Sequence, residues 1–147
     1  MLKQLKVYLL VCVVTLIPVI ANAQNNYAPT KVVYDVVSSD ATELSHILDR
    51  ATLLQNIYQH DTFDASIILV VHEGAIPLFA KNNKKHHELR QRVKSLTLGE
   101  IIQIRVCEAS ANMQGLDKKD FDRFIQLVPM ADAEIIALQN NGYAYLK

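Results

Sequence analysis

The chain has 147 residues, half of them apolar, with 15 basic and 15 acidic side chains and two cysteines. That length suits one domain with a real core and is tight for two. The balanced charge leaves no electrostatic case for nucleic acid, which asks for a basic face.

Residues 1–23, "MLKQLKVYLLVCVVTLIPVIANA", place Lys3 and Lys6 ahead of an apolar segment from Val7 to Ile20 and close on the small-x-small triplet Ala21, Asn22, Ala23. This pattern predicts a secretory signal peptide cut before Gln24. A membrane anchor competes with that reading, but the apolar run falls short of the roughly 20 residues a spanning helix needs, and Pro18 interrupts it. Cys12 lies inside the apolar region rather than at its end, which argues against lipid attachment. Removing 23 of 147 residues leaves 124, with 13 basic and 15 acidic side chains. The expected location is periplasmic or secreted, with no membrane association after cleavage. Cys12 leaves with the signal, so Cys107 becomes an unpaired thiol. In an oxidising compartment such a thiol is buried and inert, paired between chains, or reactive.

Residues 24–30, "QNNYAPT", read as a flexible polar lead-in to a domain over 31–147. "KVVYDVVSS" is a β-branched run that predicts a strand from Lys31 to Val37. Asp40, followed three residues later by Glu43, resembles a capping box. Leu44, Ile47, Leu48, Ala51, Leu54, Ile57 and Tyr58 then recur at helical spacing and draw one apolar stripe. "SIILVV", Ser66 to Val71, is apolar without alternation, as in a parallel strand covered on both faces. After "AIPLF", the basic stretch "KNNKKHHE" leads into a helix marked by Leu89, Val93 and Leu96, with Gly99 placed to end it. "IIQIRV" is a third strand. Asp117 is positioned to cap a short helix carrying Phe121 and Phe124, and "IQLV" is a fourth strand stopped by Pro129. Ala131 to Gln139 forms a last amphipathic helix ended by "NNG", and "YAYLK" offers a fifth strand. Alternating strands and helices of this kind predict a three-layer α/β domain with a mostly parallel sheet of four or five strands.

In open sheets of this type, reacting groups collect beyond the carboxyl ends of the strands. Three polar clusters fall there: Ser38, Ser39 and Asp40 after the first strand, His72 and Glu73 after the second, Cys107 and Glu108 after the third. A thiol at that edge faces the start of the next helix, whose N–H groups favour the thiolate. Arg105 or His72 would also favour the thiolate, and Glu108 would oppose them. Each has an ordinary role too: Arg105 as a contact to a helix or neighbouring chain, His72 as a cap of the next turn. His86 and His87 adjoin on a helix and diverge, so they form no ready metal pair; they are expected in solvent with Lys84 and Lys85. No Cys-x-x-Cys pair occurs, and no glycine-rich phosphate loop follows the first strand. A phosphoacceptor needs acids clustered at strand ends, whereas Asp35 lies within the first strand. No cofactor or metal is expected.

The start "KVVYDVVSSD", the segment "ILVVHEGAIPLF" with His72 closing the second strand, "IRVCEAS" followed by Gly115 and Leu116, and the ending "VPMADAEIIALQNNGYAYLK" together resemble the DsrE/DsrF-like family of sulfur-handling proteins. The resemblance spans roughly Lys31 to Lys147. It implies a flavodoxin-like fold, homo- or hetero-oligomers, and a cysteine that receives sulfane sulfur as a persulfide and passes it on. Cys107 matches that cysteine. Many relatives carry Asn where this chain has Ala109, and Thr is frequent where it has Ser110. Three readings follow: sulfur transfer on Cys107 between donor and acceptor proteins or small sulfur compounds, with His72 assisting and Ser38, Ser39, Glu73, Arg105, Glu108 and Ser110 lining the site; a non-enzymatic module binding a small ligand or partner; or an oligomeric scaffold with an incidental thiol.

Overall fold

A computed structural model of the chain describes residues 30–58 and 65–147. The predicted signal peptide, and the lead-in up to residue 29, lie outside the described residues. The elements are β1 (Lys31–Val36), α1 (Ala41–Tyr58), β2 (Ser66–Val71), α2 (Ile76–Phe79), α3 (His87–Thr97), β3 (Ile102–Cys107), α4 (Glu108–Met113), β4 (Ile125–Val128), α5 (Ala131–Asn140) and β5 (Ala144–Leu146), joined in part by short 3-10 turns. Among the described residues the strands form one sheet, parallel throughout, in the order β4-β3-β2-β1-β5. The three-layer α/β expectation holds, and the "YAYLK" segment does supply a fifth strand. Among the described residues no helix is long and apolar enough to cross a membrane.

The strand order decides where the core lies. From β1 to β4 the chain steps one strand at a time in a single direction, and right-handed crossovers then put every connecting helix on the same face. That face holds the larger core: Val32, Tyr34 and Val36 from β1, Ile67, Leu69 and Val71 from β2, Ile102, Ile104 and Val106 from β3, packed against Leu44, Ile47, Leu48 and Ala51 of α1, Phe79 of α2 and Val93 of α3. Each fully buried Leu or Ile there stabilises the fold by roughly 1.5–3 kcal/mol. To reach β5 the chain must travel from one edge of the sheet to the other, and α5 makes that passage on the opposite face. Its Ala131, Ile135 and Leu138 cover Val33, Ile68, Val70 and Cys107 in a smaller second core.

The local structure departs from the sequence expectation at three places. Asp40 does cap α1, its Oδ1 accepting from the Thr42 N–H at 2.8 Å. The reciprocal bond expected from Glu43 is made by Ser38 instead: the Asp40 N–H donates to Ser38 Oγ at 3.1 Å. Asp117 caps a 3-10 turn, Lys118–Asp120, and closes a true capping box with Asp120; Phe121 and Phe124 enter the larger core after that turn rather than on a helix. Beyond α3 the left-handed residue is Glu100 (φ 61°), not Gly99.

Candidate functional site

The alternation of "IQIRVC" sends Ile102, Ile104 and Val106 to the larger core and leaves Gln103, Arg105 and Cys107 to the second face. β3 exits toward the first face and β4 exits toward the second, so the chain diverges between the carboxyl ends of these neighbours, where α/β sheets open a crevice. Cys107 stands at that divergence, in register with Val128 of β4. It ends β3 and precedes α4 with φ −65° and ψ 113°, and its Sγ accepts from the Ser110 N–H at 3.4 Å. A fork between α4 and α5 therefore frames the thiol. The accessibility expected at a strand end is absent: Cys107 is 3 % exposed and belongs to the second core, because α5 begins over it.

Arg105, two residues earlier on the same face, is committed elsewhere. Its Nη1 donates to Glu134 Oε1 of α5 and its Nη2 to Gln103 Oε1 at 3.0 Å. Its buried Nε has no hydrogen-bond partner among the described residues. The guanidinium thus ties α5 to β3, the helix contact that was its ordinary alternative, and its bonds do not run to the thiol. Glu108 points away as well, lining a cavity of about 480 Å³ at the β4 edge with Lys118, Arg123, Phe124 and Gln126.

At the end of β2, His72 is extended (φ −150°, ψ −179°), and its N–H donates to Val36 O at 3.0 Å, carrying the β1–β2 ladder one residue further. Its ring leans to β1, where Nε2 lies 2.7 Å from Asp35 Oδ1. The other carboxylate oxygen of Asp35 accepts the Tyr145 hydroxyl of β5 at 2.6 Å. This bond, with burial and the Asp35 charge adding to it, holds the Tyr145 phenol above its ordinary pKa. Asp35 and Tyr145 were not singled out from the sequence as site residues. Asp35 lies within a strand, and a lone carboxylate inside "VVYDVV" is the sequence signal for it.

Glu73 is exposed and left-handed (φ 49°), and its carbonyl accepts from Gln114 Nε2 at 2.8 Å, which joins the loop after β2 to the end of α4. Gly74 lets that loop approach the loop after β1: a Cβ there would meet Val37 O at 3.1 Å and the Ser39 Cβ at 3.4 Å. The structure thus brings Ser38 and Ser39 beside the Gly74 loop, His72 to Asp35, and Ser110 to Cys107. It does not bring Arg105 or Glu108 to the thiol. Among the described residues no three His, Cys, Asp or Glu side chains gather as a metal site.

The model of the DsrE/DsrF-like family matches residues 31–147. No curated protein gives a significant match. Among solved structures, a protein of unknown function from Methanobacterium thermoautotrophicum is similar with a TM-score of 0.68 at 18 % identity, over 80 % of this chain and 97 % of that one. At that identity the likeness speaks for the fold alone.

Proposed function

Because the chain belongs to the DsrE/DsrF-like family over residues 31–147, we propose that it handles sulfane sulfur outside the cytoplasm, holding it as a persulfide on Cys107 and handing it to an acceptor. The observation that carries this reading is the placing of Cys107 Sγ at the divergence of β3 and β4 with the Ser110 N–H directed onto it. A backbone donor of that kind favours a charged sulfur, whether thiolate or persulfide. In this reading the donor is small, since the thiol is 3 % exposed, and the first turn of α5 governs its entry. Export rests on Lys3, Lys6, the apolar segment and the Ala21-Asn22-Ala23 triplet. Assembly into a homo-oligomer is part of the proposal, supported by large apolar side chains left on the surface at Leu53, Leu98, Met113, Met130 and Ile136.

One intact-mass experiment tests the sulfur chemistry and the export. The full chain is produced in a bacterial host with a periplasm, purified from that compartment, and incubated with thiosulfate or polysulfide. The expected product begins at Gln24 and gains one sulfur atom, lost again on reduction and absent in Cys107→Ser. A chain that keeps residues 1–23, or one that never gains sulfur while an ordinary exposed thiol does, contradicts the corresponding part.

The burial of Cys107 favours a second reading, a binding module in which the residue only lines the second core. That reading predicts unchanged ligand or partner binding in Cys107→Ser.

A further inference from the structure

A carboxylate set into the face of an interior strand is costly, by several kcal/mol when unpaired. Asp35 is the one acidic residue of β1, a strand flanked by β2 and β5. It is met by His72 Nε2 at one oxygen and the Tyr145 hydroxyl at the other, at 2.7 and 2.6 Å. Its partners stand 37 and 110 residues away in sequence and arrive from β2 and β5. Only the strand order β2-β1-β5 assembles the three.

The chemistry of the donors assigns the ring. A carboxylate only accepts, so Tyr145 gives its hydroxyl proton and His72 gives Nε2–H. In the neutral imidazole the remaining nitrogen, Nδ1, is then the acceptor. Glu73 Oε1 lies 4.0 Å from it, outside hydrogen-bonding range, and among the described residues no side chain or backbone group bonds it. The groups that face the ring are thus Asp35 from β1, Tyr145 from β5 acting through Asp35, and Glu73 from its own loop, while Cys107 ends the neighbouring strand β3. Val71 is in register with Val106, and His72 and Cys107 are the residues that follow them, so the alternation of side chains sends both toward the second face. Adjacent strands lie about 4.8 Å apart.

We propose that Asp35 and Tyr145 are positioning residues that hold His72 in its Nε2–H form, leaving Nδ1 as the base that takes the Cys107 proton; this rests on the persulfide reading above. Carboxylate, imidazole and thiol then stand in the order of a nucleophile triad. The S–H bond breaks, its electron pair stays on sulfur, and the proton passes to Nδ1. The thiolate attacks the outer sulfur of thiosulfate and a new S–S bond forms. The donor's own S–S bond breaks with its pair on the departing sulfite, which receives the proton from His72.

The test uses the mature protein and three substitutions, His72→Gln, Asp35→Asn and Tyr145→Phe. The rate of sulfur uptake from thiosulfate and the rate of Cys107 alkylation by a small reagent are each followed across pH, and the His72 ring is observed by nitrogen-15 NMR. Loss of a general base predicts a fall of about 10²-fold or more in the uptake rate of His72→Gln, with loss of the corresponding inflection in its pH profile. Asp35→Asn is expected to change the ring tautomer and to displace the profile. Tyr145→Phe is expected to change the same readouts in the same sense by a smaller amount, and it removes only a hydroxyl, so it serves if Asp35→Asn does not fold. Uptake in the wild type with rates and profiles unchanged in His72→Gln overturns the inference and leaves the sulfur reading intact. If the wild type takes up no sulfur, that reading falls. Alkylation then decides the base: a slower, flatter profile in His72→Gln supports it, and an unchanged one overturns it. A ring protonated at Nδ1, or a tautomer unmoved in both Asp35→Asn and Tyr145→Phe, overturns the positioning role.

Discussion

At the scale of the residue, Cys107 answers two demands at once: its sulfur takes a backbone N–H from Ser110, and its flanks fill a gap among Val33, Ile68, Val70 and Ala131. Cys107→Ser puts a hydroxyl into that apolar setting, and a destabilisation of roughly 1–3 kcal/mol is expected. Cys107→Ala, which adds no polar group, should cost less than Cys107→Ser. Chemical denaturation of the three proteins checks the order, and equal midpoints would show that the thiol is wetter than its surroundings indicate. Cys107 and His72 were legible as site candidates because each closes an apolar run. The direction of the histidine ring was not, since it is set by Asp35, 37 residues earlier on the adjacent strand. For Arg105 strand parity shows the face but not the partner: of its two expected roles the helix contact holds, because Glu134, 29 residues later, draws the guanidinium to itself. Burial of the thiol also escaped the sequence, because it depends on where α5 crosses the sheet.

At the scale of the element, the turn that ends α5 was the most legible feature, being chemistry between neighbours. "NNG" ends α5 with Gly142 at φ 86°, and the Asn141 and Gly142 N–H groups donate back to Ala137, Leu138 and Gln139 carbonyls. A Cβ at Gly142 would meet nothing within 4 Å, so its substitution isolates the backbone cost. Gly142→Ala should therefore destabilise the domain by roughly 1–2 kcal/mol, the cost of a left-handed conformation for an L residue. A loss below a few tenths of a kcal/mol in thermal or denaturant unfolding would contradict it. Strands β2 and β4 were read with their observed limits, because a β-branched run bounded by polar residues or proline has sharp ends. Gly99 misled because glycine is the commonest, but not the obligatory, occupant of a left-handed site: Glu100 takes it.

At the scale of the whole molecule, the alternation of elements was enough for the layers and the parallel sheet, yet not for the order of strands, which decides that β5 joins the β1 edge and brings Tyr145 to Asp35. That join also shapes the response to alkali. Burial, the largest influence, raises the pKa of Tyr34, which β1 sends into the larger core; Arg50, 5.1 Å from the ring centroid, lowers it, and Tyr58 raises it further. Tyr145 is raised chiefly by its bond to Asp35. With folded values above the ordinary value of about 10, the unfolded chain loses protons first as pH rises. The stability from both phenols is therefore complete below pH about 10 and is lost as pH climbs through the folded values. Denaturant midpoints should hold steady up to pH 9 and fall above 10, with a shallower fall in Tyr145→Phe; an identical fall in that variant would remove Tyr145 from the account.

Among the described residues α5 is the helix that covers the second face, and together with Tyr143 it supplies the shield over Val33, Ile68, Val70 and Cys107. Loosening that one helix would therefore lay the whole side of the sheet, and the sulfur with it, open to water.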